Sequence, residues 1–378
     1  MFKLSVPPLP IQTPEVIFDI SRLFRSRHKN FGTGVDRIDL AIGMDLLRRF
    51  RRRCHFLYTG PLGIGFLDYR TGLALLVHLE GVWNRQKIRS LPRAVKREPL
   101  LQKLRMGARS GSIVARATYV VASHSGLCKV PGALRKIDPK GIMHRLVYIH
   151  DLIPIEMPEY QRPSTRLEFI SFLKEITGAP LSIASNSKDT DKRVRKLAEV
   201  EKWPVEAFYI HMPTLERIFG ITRSPRDRVV DYLADSRPYF AVIGTIEPRK
   251  NHLLLLNLWR RFSSTISAVP RLCIIGKRGW ENENIVDMLD RCDAIKSFVT
   301  EFDDLNDFEV QLLISSARAM LFPSFIEGLG IPMLEATKLN VPCIVSDIDV
   351  FREVAGVNTT FVDPLDGLGW RDAILSRL

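Results

Sequence analysis

The chain has 378 residues, a length that suggests two domains at about 150 residues each. With 46% hydrophobic and 26% charged residues it has ample apolar material for packed cores, which excludes intrinsic disorder. No run approaches the ~18 apolar residues of a membrane-spanning helix, and Met1–Pro8 lacks the apolar core of a signal peptide. The five cysteines (Cys54, Cys128, Cys273, Cys292, Cys343) are scattered and form no C-x-x-C pair. They argue against a disulfide framework or a zinc site and for a reducing cytoplasm. The net charge is +13, unevenly spread: residues 1–235 hold 40 Lys+Arg against 23 Asp+Glu, and residues 236–378 hold 15 against 19. Such asymmetry points the N-terminal part toward something anionic, a nucleic acid or a membrane surface.

In chain order, short apolar runs alternate with longer amphipathic stretches. Residues 16–20, 118–122, 146–149 and 181–184 read as strands in the first half. Residues 240–243, 272–275, 319–322 and 343–345 do so in the second. These runs are continuous rather than alternating, as expected of parallel strands covered on both faces. Between the first two, Val35, Ile38, Ile42, Leu46 and Phe50 recur at spacings of three and four and predict a helix with one apolar face. The pattern is α/β. Residues 220–225 and 236–238 break the periodicity where the charge changes sign, which predicts an N-terminal domain over 1–225 and a C-terminal domain over 236–378.

Two strand ends carry the chemistry. After residues 319–322 comes Phe322-Pro323-Ser324-Phe325-Ile326-Glu327-Gly328-Leu329-Gly330-Ile331-Pro332-Met333-Leu334-Glu335. Gly328 and Gly330 permit a tight turn and close approach by a ligand. Pro332 suits the first position of a helix, which predicts Glu335 in the first turn and Glu327 on the preceding loop. A strand, a glycine turn and a helix N-terminus make an anion site. Two carboxylates beside it would repel phosphate, so they suit sugar hydroxyls. The second is Gly244-Thr245-Ile246-Glu247-Pro248-Arg249-Lys250-Asn251, after residues 240–243. There Arg249 can bind a diphosphate in bidentate fashion and Lys250 acts as a point charge.

With these residues the chain resembles the retaining glycosyltransferases of family 4. Glu327 and Glu335 have the family's E-x7-E spacing, and Gly244–Asn251 is similar to its donor-diphosphate turn. Gly32-Thr33-Gly34-Val35-Asp36-Arg37 looks like its N-terminal glycine loop, His150-Asp151-Leu152-Ile153-Pro154 like its interdomain histidine segment, and Ser185–Lys188 like a loop opening the last N-domain helices. The resemblance runs from about residue 16 to 364. It implies the GT-B fold, two Rossmann-like domains with parallel sheets facing an interdomain cleft. It further implies that Glu335 binds the ribose of a nucleotide sugar, that Arg249 and Lys250 bind the diphosphate, and that Glu327 holds hydroxyls of the transferred sugar. Gly34, Gly244, Thr245 and the Gly328-Leu329-Gly330 loop would approach the donor, and His150 would contact the sugar near the reacting centre. Thr245 stands where many relatives have an arginine, so either one phosphate cation is missing or Arg249 supplies it. Trp370–Leu375 would begin the helix that crosses back to the first domain.

Other signals weigh less. Asp347-Ile348-Asp349 after a strand would suit Mg²⁺ or Mn²⁺ in the other major transferase fold, but the E-x7-E loop lies just upstream. Gly276-Lys277-Arg278-Gly279-Trp280 is not a P-loop; it reads as a nucleotide-pocket lining or a plain turn. His124, also at a strand end, would face the acceptor. Arg48–Arg53 is basic, and residues 85–109 hold nine Lys+Arg against Glu98, interleaved with Leu91, Val95, Leu100, Leu101, Leu104 and Met106. That mixture suits an anionic membrane surface, and the stretch has no aromatic to stack a nucleic-acid base.

The resulting expectation is a metal-independent, cofactor-free retaining hexosyltransferase, peripheral on the inner face of the plasma membrane. It would move a sugar from a nucleotide sugar, GDP-mannose by preference, to a lipid-linked saccharide in surface or exopolysaccharide assembly. The alternatives are a transferase with a soluble acceptor and a non-catalytic basic nucleic-acid-binding protein.

Overall fold

The computed structural model describes residues 2–60, 63–84, 90–96, 113–124, 126–217 and 224–378. The chain divides into two compact units. One comprises Lys3–Glu156 and Ser164–Glu216. The other comprises Met1–Phe2, Met157–Pro163 and Arg217–Leu378.

Strands are numbered in chain order. The N-terminal unit contains β2 (Glu15–Asp19), β3 (Cys54–Gly60), β4 (Gly63–Leu67), β5 (Ala117–Val121), β6 (Arg145–Ile149), β7 (Leu181–Ser185) and β8 (Val205–Ile210). Among the described residues they form a seven-stranded sheet in the order β4-β3-β2-β5-β6-β7-β8. All pairs are parallel except β3 with β4, a hairpin at the edge. β1 (Phe2–Ser5) and β9 (Thr214–Arg217) make a separate ribbon. Every residue of β2, β5, β6 and β7 is buried, which explains their unbroken apolar sequences. The helix Gly34–Phe50 carries Ile38, Ile42, Leu46 and Phe50 into the core, as its spacing predicts. Its start is fixed by a capping box, in which Thr33 accepts from the Asp36 amide and Asp36 accepts from the Thr33 amide.

The C-terminal unit contains β10 (Tyr239–Ile243), β11 (Arg271–Ile275), β12 (Val299–Phe302), β13 (Ala319–Phe322), β14 (Cys343–Ser346) and β15 (Thr359–Val362). They form a parallel sheet ordered β12-β11-β10-β13-β14-β15. The order reverses at β10, and β10 and β13 are neighbours with Phe240 opposite Ala319 and Ala241 opposite Met320. The carboxyl ends of two strands flanking such a reversal are where α/β sheets bind ligands. Trp259, Trp370, Phe240 and Phe262 fill the core. Trp370 and Ile374, in the helix Gly367–Leu375, are both buried there, so the segment Trp370–Leu375 packs within this unit.

Two features of the division differ from the reading of the sequence. Residues 226–235 look like a linker, yet the helix Asp227–Ala234 belongs to the C-terminal unit. Arg226, just before it, anchors the helix on Glu309 at 2.8 Å and Asp304 at 2.6 Å. Residues 157–163 also belong to that unit. Tyr160 stacks on Phe325 with centroids 5.4 Å apart, and its carbonyl accepts from Trp280 Nε1 at 3.1 Å. Residues 220–223 of the predicted boundary lie outside the described residues.

No described helix is long and apolar enough to cross a membrane. Of the basic stretch 85–109, only residues 90–96 are described, including the short helix Arg93–Lys96. Val95 is fully buried, so it packs inside the unit rather than facing lipid. Residues 85–89 and 97–109 lie outside the described residues. Arg51, Arg52 and Arg53 are exposed.

Candidate active site

On the C-terminal unit the two sequence motifs meet because β10 and β13 are adjacent and end on the same edge. The turn after β10 holds Glu247, Arg249 and Lys250, and the loop after β13 holds Ser324, Phe325 and Glu327. A backbone bond from the Phe325 amide to the Arg249 carbonyl, 2.9 Å, clips loop to turn. Glu327 is the hub. Its Oε2 lies 2.9 Å from Arg249 Nη1, and its Oε1 accepts from Lys250 Nζ and, at 2.8 Å, from the Ser324 hydroxyl. Arg249 also pairs with Glu247 at 2.7 Å and donates to the Ile326 carbonyl at 3.0 Å.

The electrostatics of the cluster follow from this packing. Burial alone would raise the Glu327 carboxyl, but Arg249 and Lys250 outweigh it and hold the group at about 2. Burial pushes Lys250 below the ordinary lysine range and raises Glu247. Glu247 is 2% exposed, and its Oε2 has no hydrogen-bond partner among the described residues. Two acids and two bases thus share one water-poor site with little net charge. Arg249 and Lys250 keep Glu327 ionised, and an entering anion would be received by cations already desolvated and aimed.

Glycine geometry shapes the same edge. Gly244 has φ +146, and a Cβ there would lie 3.3 Å from Lys250 Cε. Gly330 has φ +81, and a Cβ would lie 2.8 Å from a ring carbon of Phe351, so only glycine fits the turn. Gly330 caps the helix Ile331–Lys338 without a side-chain hydrogen bond. Pro332 is the second helical residue rather than the first, which moves Glu335 into the second turn. Glu335 is partly exposed, and Gly328 and Leu329 are buried. Thr245 follows Gly244 in the turn, which stacks on its neighbour: Gly244 donates to Ile275 and Ile246 to Lys277, each at 2.9 Å.

That neighbour is the turn after β11. Arg278 there is spent on Asp290 at 2.6 Å and Glu301 at 2.7 Å, and a Cβ on Gly276 would strike the Gly244 carbonyl. The segment 276–280 is a packing turn. Asp347, the first carboxylate of the D-x-D, is held in bidentate fashion by Arg352 at 2.6 and 2.7 Å. Among the described residues no group of three or more His, Cys, Asp or Glu could hold a metal.

On the N-terminal unit, His150 and His124 follow β6 and β5, which are adjacent, and both line a small cavity of about 70 Å³ with Arg22, Ser123 and Tyr148. His150 Nε2 lies 2.7 Å from the Ala122 carbonyl. A carbonyl only accepts, so Nε2 carries the proton. Burial, with Arg22 nearby, lowers its pKa to about 3. The ring is therefore neutral, and Nδ1, buried and without a hydrogen-bond partner among the described residues, keeps a lone pair. His124 is lowered to about 4, first by burial, and meets the Phe169 ring edge-on at 5.5 Å. Gly34 is the first residue of the helix Gly34–Phe50. Below it Asp36 is fully buried against Arg22 at 2.7 Å and Lys29 at 3.0 Å; burial opposes its ionisation, but these cations hold it at about 2.

Several of these groups escape a reading of the sequence. Glu247 lies inside the quoted turn, where only the structure reveals its pairing with Arg249. Ser324 precedes Glu327 by one turn of loop, a spacing with no signature of its own. Arg22 and Asp36 meet through tertiary packing, although the spacing of Thr33 and Asp36 is a legible capping pattern.

Residues 225–366 match the family described as "Glycosyl transferases group 1", so the chain carries a glycosyl transferase group 1 domain over the turn and loop just described. It is homologous to the serotype-specific mannosyltransferase WbdA of Escherichia coli, 27% identical over 223 residues, covering 55% of this chain and 26% of WbdA. It is also homologous to the O-antigen chain mannosyltransferase B of Escherichia coli, 25% identical over 60% of this chain and 59% of that one. The O-antigen chain mannosyltransferase RfbU of Salmonella typhimurium is 32% identical over 139 residues, covering 36% of this chain and 37% of RfbU. The matched stretches thus span between about a quarter and three fifths of these relatives. Among solved structures, Anabaena HepE in complex with UDP-glucose matches with a TM-score of 0.58 at 14% identity, covering 96% of this chain and 89% of that one. Sucrose-phosphate synthase from Thermosynechococcus elongatus matches with a TM-score of 0.56 and the same identity and coverage. The fold class is GT-B, as the resemblance implies.

Proposed function

We propose that this chain is a retaining glycosyltransferase that moves a mannosyl residue from a nucleotide sugar, GDP-mannose by preference, to a lipid-linked saccharide in surface-polysaccharide assembly. The observation that carries the reading is the Arg249–Lys250–Glu327 cluster, built from two adjacent strand ends within a glycosyl transferase group 1 domain. Homology to three mannosyltransferases supports the sugar, and two of their names support an O-antigen acceptor.

In this reading the donor diphosphate takes over Arg249 and Lys250, and Glu327 turns to hydroxyls of the transferred sugar. Glu335 holds the ribose, with Gly244, Gly328 and Gly330 giving backbone access. The bond from C1 to the phosphate oxygen breaks as the acceptor oxygen bonds to C1 on the same face. The acceptor proton passes to the leaving phosphate. The two cations meet charge that grows as the diphosphate leaves, so their contribution falls on the transition state. No metal is required for this, because Arg249 and Lys250 supply the charge a divalent ion otherwise would. Neutral His150 accepts a hydrogen bond from the sugar through Nδ1, and His124 serves the acceptor. The N-terminal unit's excess of cations, Arg51–Arg53 among them, supports attachment to the anionic inner leaflet. The reading is tested by incubating the chain with GDP-mannose and a membrane extract of lipid-linked saccharides. Release of GDP coupled to a hexose mass increment on the lipid fraction is expected. GDP release with no such product would remove the lipid acceptor, and no release with any nucleotide sugar would remove the transferase.

A further inference from the structure

The N-terminal unit has a second polar cavity, of about 420 Å³, at the amino end of β6. Arg145 begins that strand and His150 follows its last residue, so the two lie about 17 Å apart along it at 3.3 Å per residue. The charged residues lining the cavity are Arg135, Asp138, Lys140, Arg145, Lys174 and Glu175.

Both carboxylates are already used. Asp138 accepts from the amides of Ile142 and Met143, each at 3.0 Å. Glu175 accepts from the Gly132 amide and from that of Leu134 at 3.3 Å. Neither forms a salt bridge among the described residues, although both charges act on Arg145. Arg145 is 3% exposed. Its Nη1 donates to the carbonyls of Glu175 at 2.7 Å and Ile176 at 2.9 Å, the end of the helix Thr165–Ile176. Its Nε is buried and has no hydrogen-bond partner among the described residues. Those carbonyls offer roughly half a negative charge at most, and burial lowers the guanidinium pKa against the opposing charges of Asp138 and Glu175, so its charge is only partly compensated. Arg135, Lys140 and Lys174 are exposed, and no ion pair within the described residues engages them. Four cations and two carboxylates therefore line one cavity, which leaves it an excess of positive charge.

We propose that this cavity is a second anion site, which takes a phosphate or diphosphate group. Its volume lies within the roughly 300–1,000 Å³ of small-molecule sites and exceeds the needs of a single ion. The buried fork of Arg145 would form the floor, and Arg135, Lys140 and Lys174 would close on the remaining oxygens. The group arrives either as the head of an anionic lipid or as a soluble phosphate compound. The inference is independent of the glycosyltransferase reading.

The test is calorimetric titration of the full chain with inorganic pyrophosphate. An Arg249→Ala/Lys250→Ala variant removes the other cation pair that could bind it. In that background pyrophosphate should still bind, and adding Arg135→Gln, Lys140→Gln and Lys174→Gln should weaken it about tenfold or more, ~1.4 kcal/mol per decade. A control with Arg51→Gln, Arg52→Gln and Arg53→Gln, which loses the same charge elsewhere, should bind as before. All three replaced lining residues are exposed, and thermal melts check that the fold is kept. No binding in the Arg249→Ala/Lys250→Ala background, or equal weakening in the control, would overturn the proposal. Flotation with phosphatidylcholine vesicles, with and without phosphatidic acid, separates the sources. Vesicle binding that falls more in the lining variant than in the control assigns the site to a lipid phosphate. Equal vesicle binding with pyrophosphate binding lost assigns it to a soluble one.

Discussion

The Phe325 amide donates to the Arg249 carbonyl at 2.9 Å, and this bond sets how Glu327 meets its cations. It joins the loop after β13 to the turn after β10, so the carboxylate and the two positive charges move as one piece. Tyr160 stacks on the other side of the clip through the Phe325 ring. Preorganisation of this kind is what a site needs if it stabilises a departing diphosphate without reorganising at the moment of reaction.

Replacing Lys250 by Ala should therefore lower kcat on the order of 100-fold, with a smaller change in donor KM. Glu327 keeps Arg249 at 2.9 Å and Ser324 at 2.8 Å in that variant, so the loop should stay folded. Glu335→Ala should instead raise donor KM, because ribose contacts change little during the reaction. Steady-state kinetics on both variants check the pair, and two unimpaired enzymes would refute the site.

Acid stability gives a second handle. Glu327 and Asp36 bind protons less readily folded than unfolded, each held at about 2 against ordinary values of 4.5 and 3.8. Their stabilisation is complete above about pH 4.5 and is lost as the pH falls toward 2. Glu247 is raised, so it works the other way and reduces the net effect. Thermal melts from pH 6 to pH 2.5 should fall, and Glu327→Gln should flatten that slope while lowering the plateau. A wild-type slope kept unchanged in the variant would contradict the assignment.

Much of this was legible in the chain because buried parallel strands need unbroken apolar runs. β2, β5, β6, β7, β10, β11, β13 and β14 each fall within a residue or so of a predicted run. Interior β3 is missed although six of its seven residues are buried, because its apolar run is only Phe56-Leu57-Tyr58, and the ribbon strands β1 and β9 are missed as well. The other missed strands are those whose environment is not written locally. β12, β15 and β8 lie at or next to sheet edges and carry polar residues such as Thr300, Glu301, Thr359 and Glu206, and β4 is a glycine-rich antiparallel edge. The cations and carboxylates of the candidate site could be named from strand-end motifs. Their mutual pairing could not, since it depends on β10 lying beside β13, a relation fixed by sheet order. Pro332 misled by one residue because Ile331 already adopts helical geometry.

In the proposed mechanism Arg249 and Lys250 would take the role of a divalent ion at the leaving diphosphate, so turnover should survive excess EDTA. The check is GDP release with and without chelator. Loss of activity restored by Mn²⁺ would return attention to Asp347 and Asp349.

Membrane attachment should depend on charge more than on insertion, since Val95 of the basic stretch is buried. Binding to anionic vesicles should weaken with salt and fall when Arg93, Lys96, Arg97 and Lys103 are replaced by Glu, at about 1 kcal/mol per cation near the surface. Co-sedimentation with neutral and anionic vesicles decides it, and equal binding to both would point to a soluble acceptor.

The central claim is that the Arg249–Lys250–Glu327 cluster receives a nucleotide sugar, and thermal shift tests it most directly. A panel of GDP- and UDP-sugars is run against the wild type and the Arg249→Ala/Lys250→Ala variant. The true donor at 100 times its Kd should stabilise the wild type by about 2.7 kcal/mol. GDP-mannose is expected to stand out, and its effect should vanish in the variant. A panel in which no nucleotide sugar shifts the melt, or in which the shift persists without the two cations, would contradict the account.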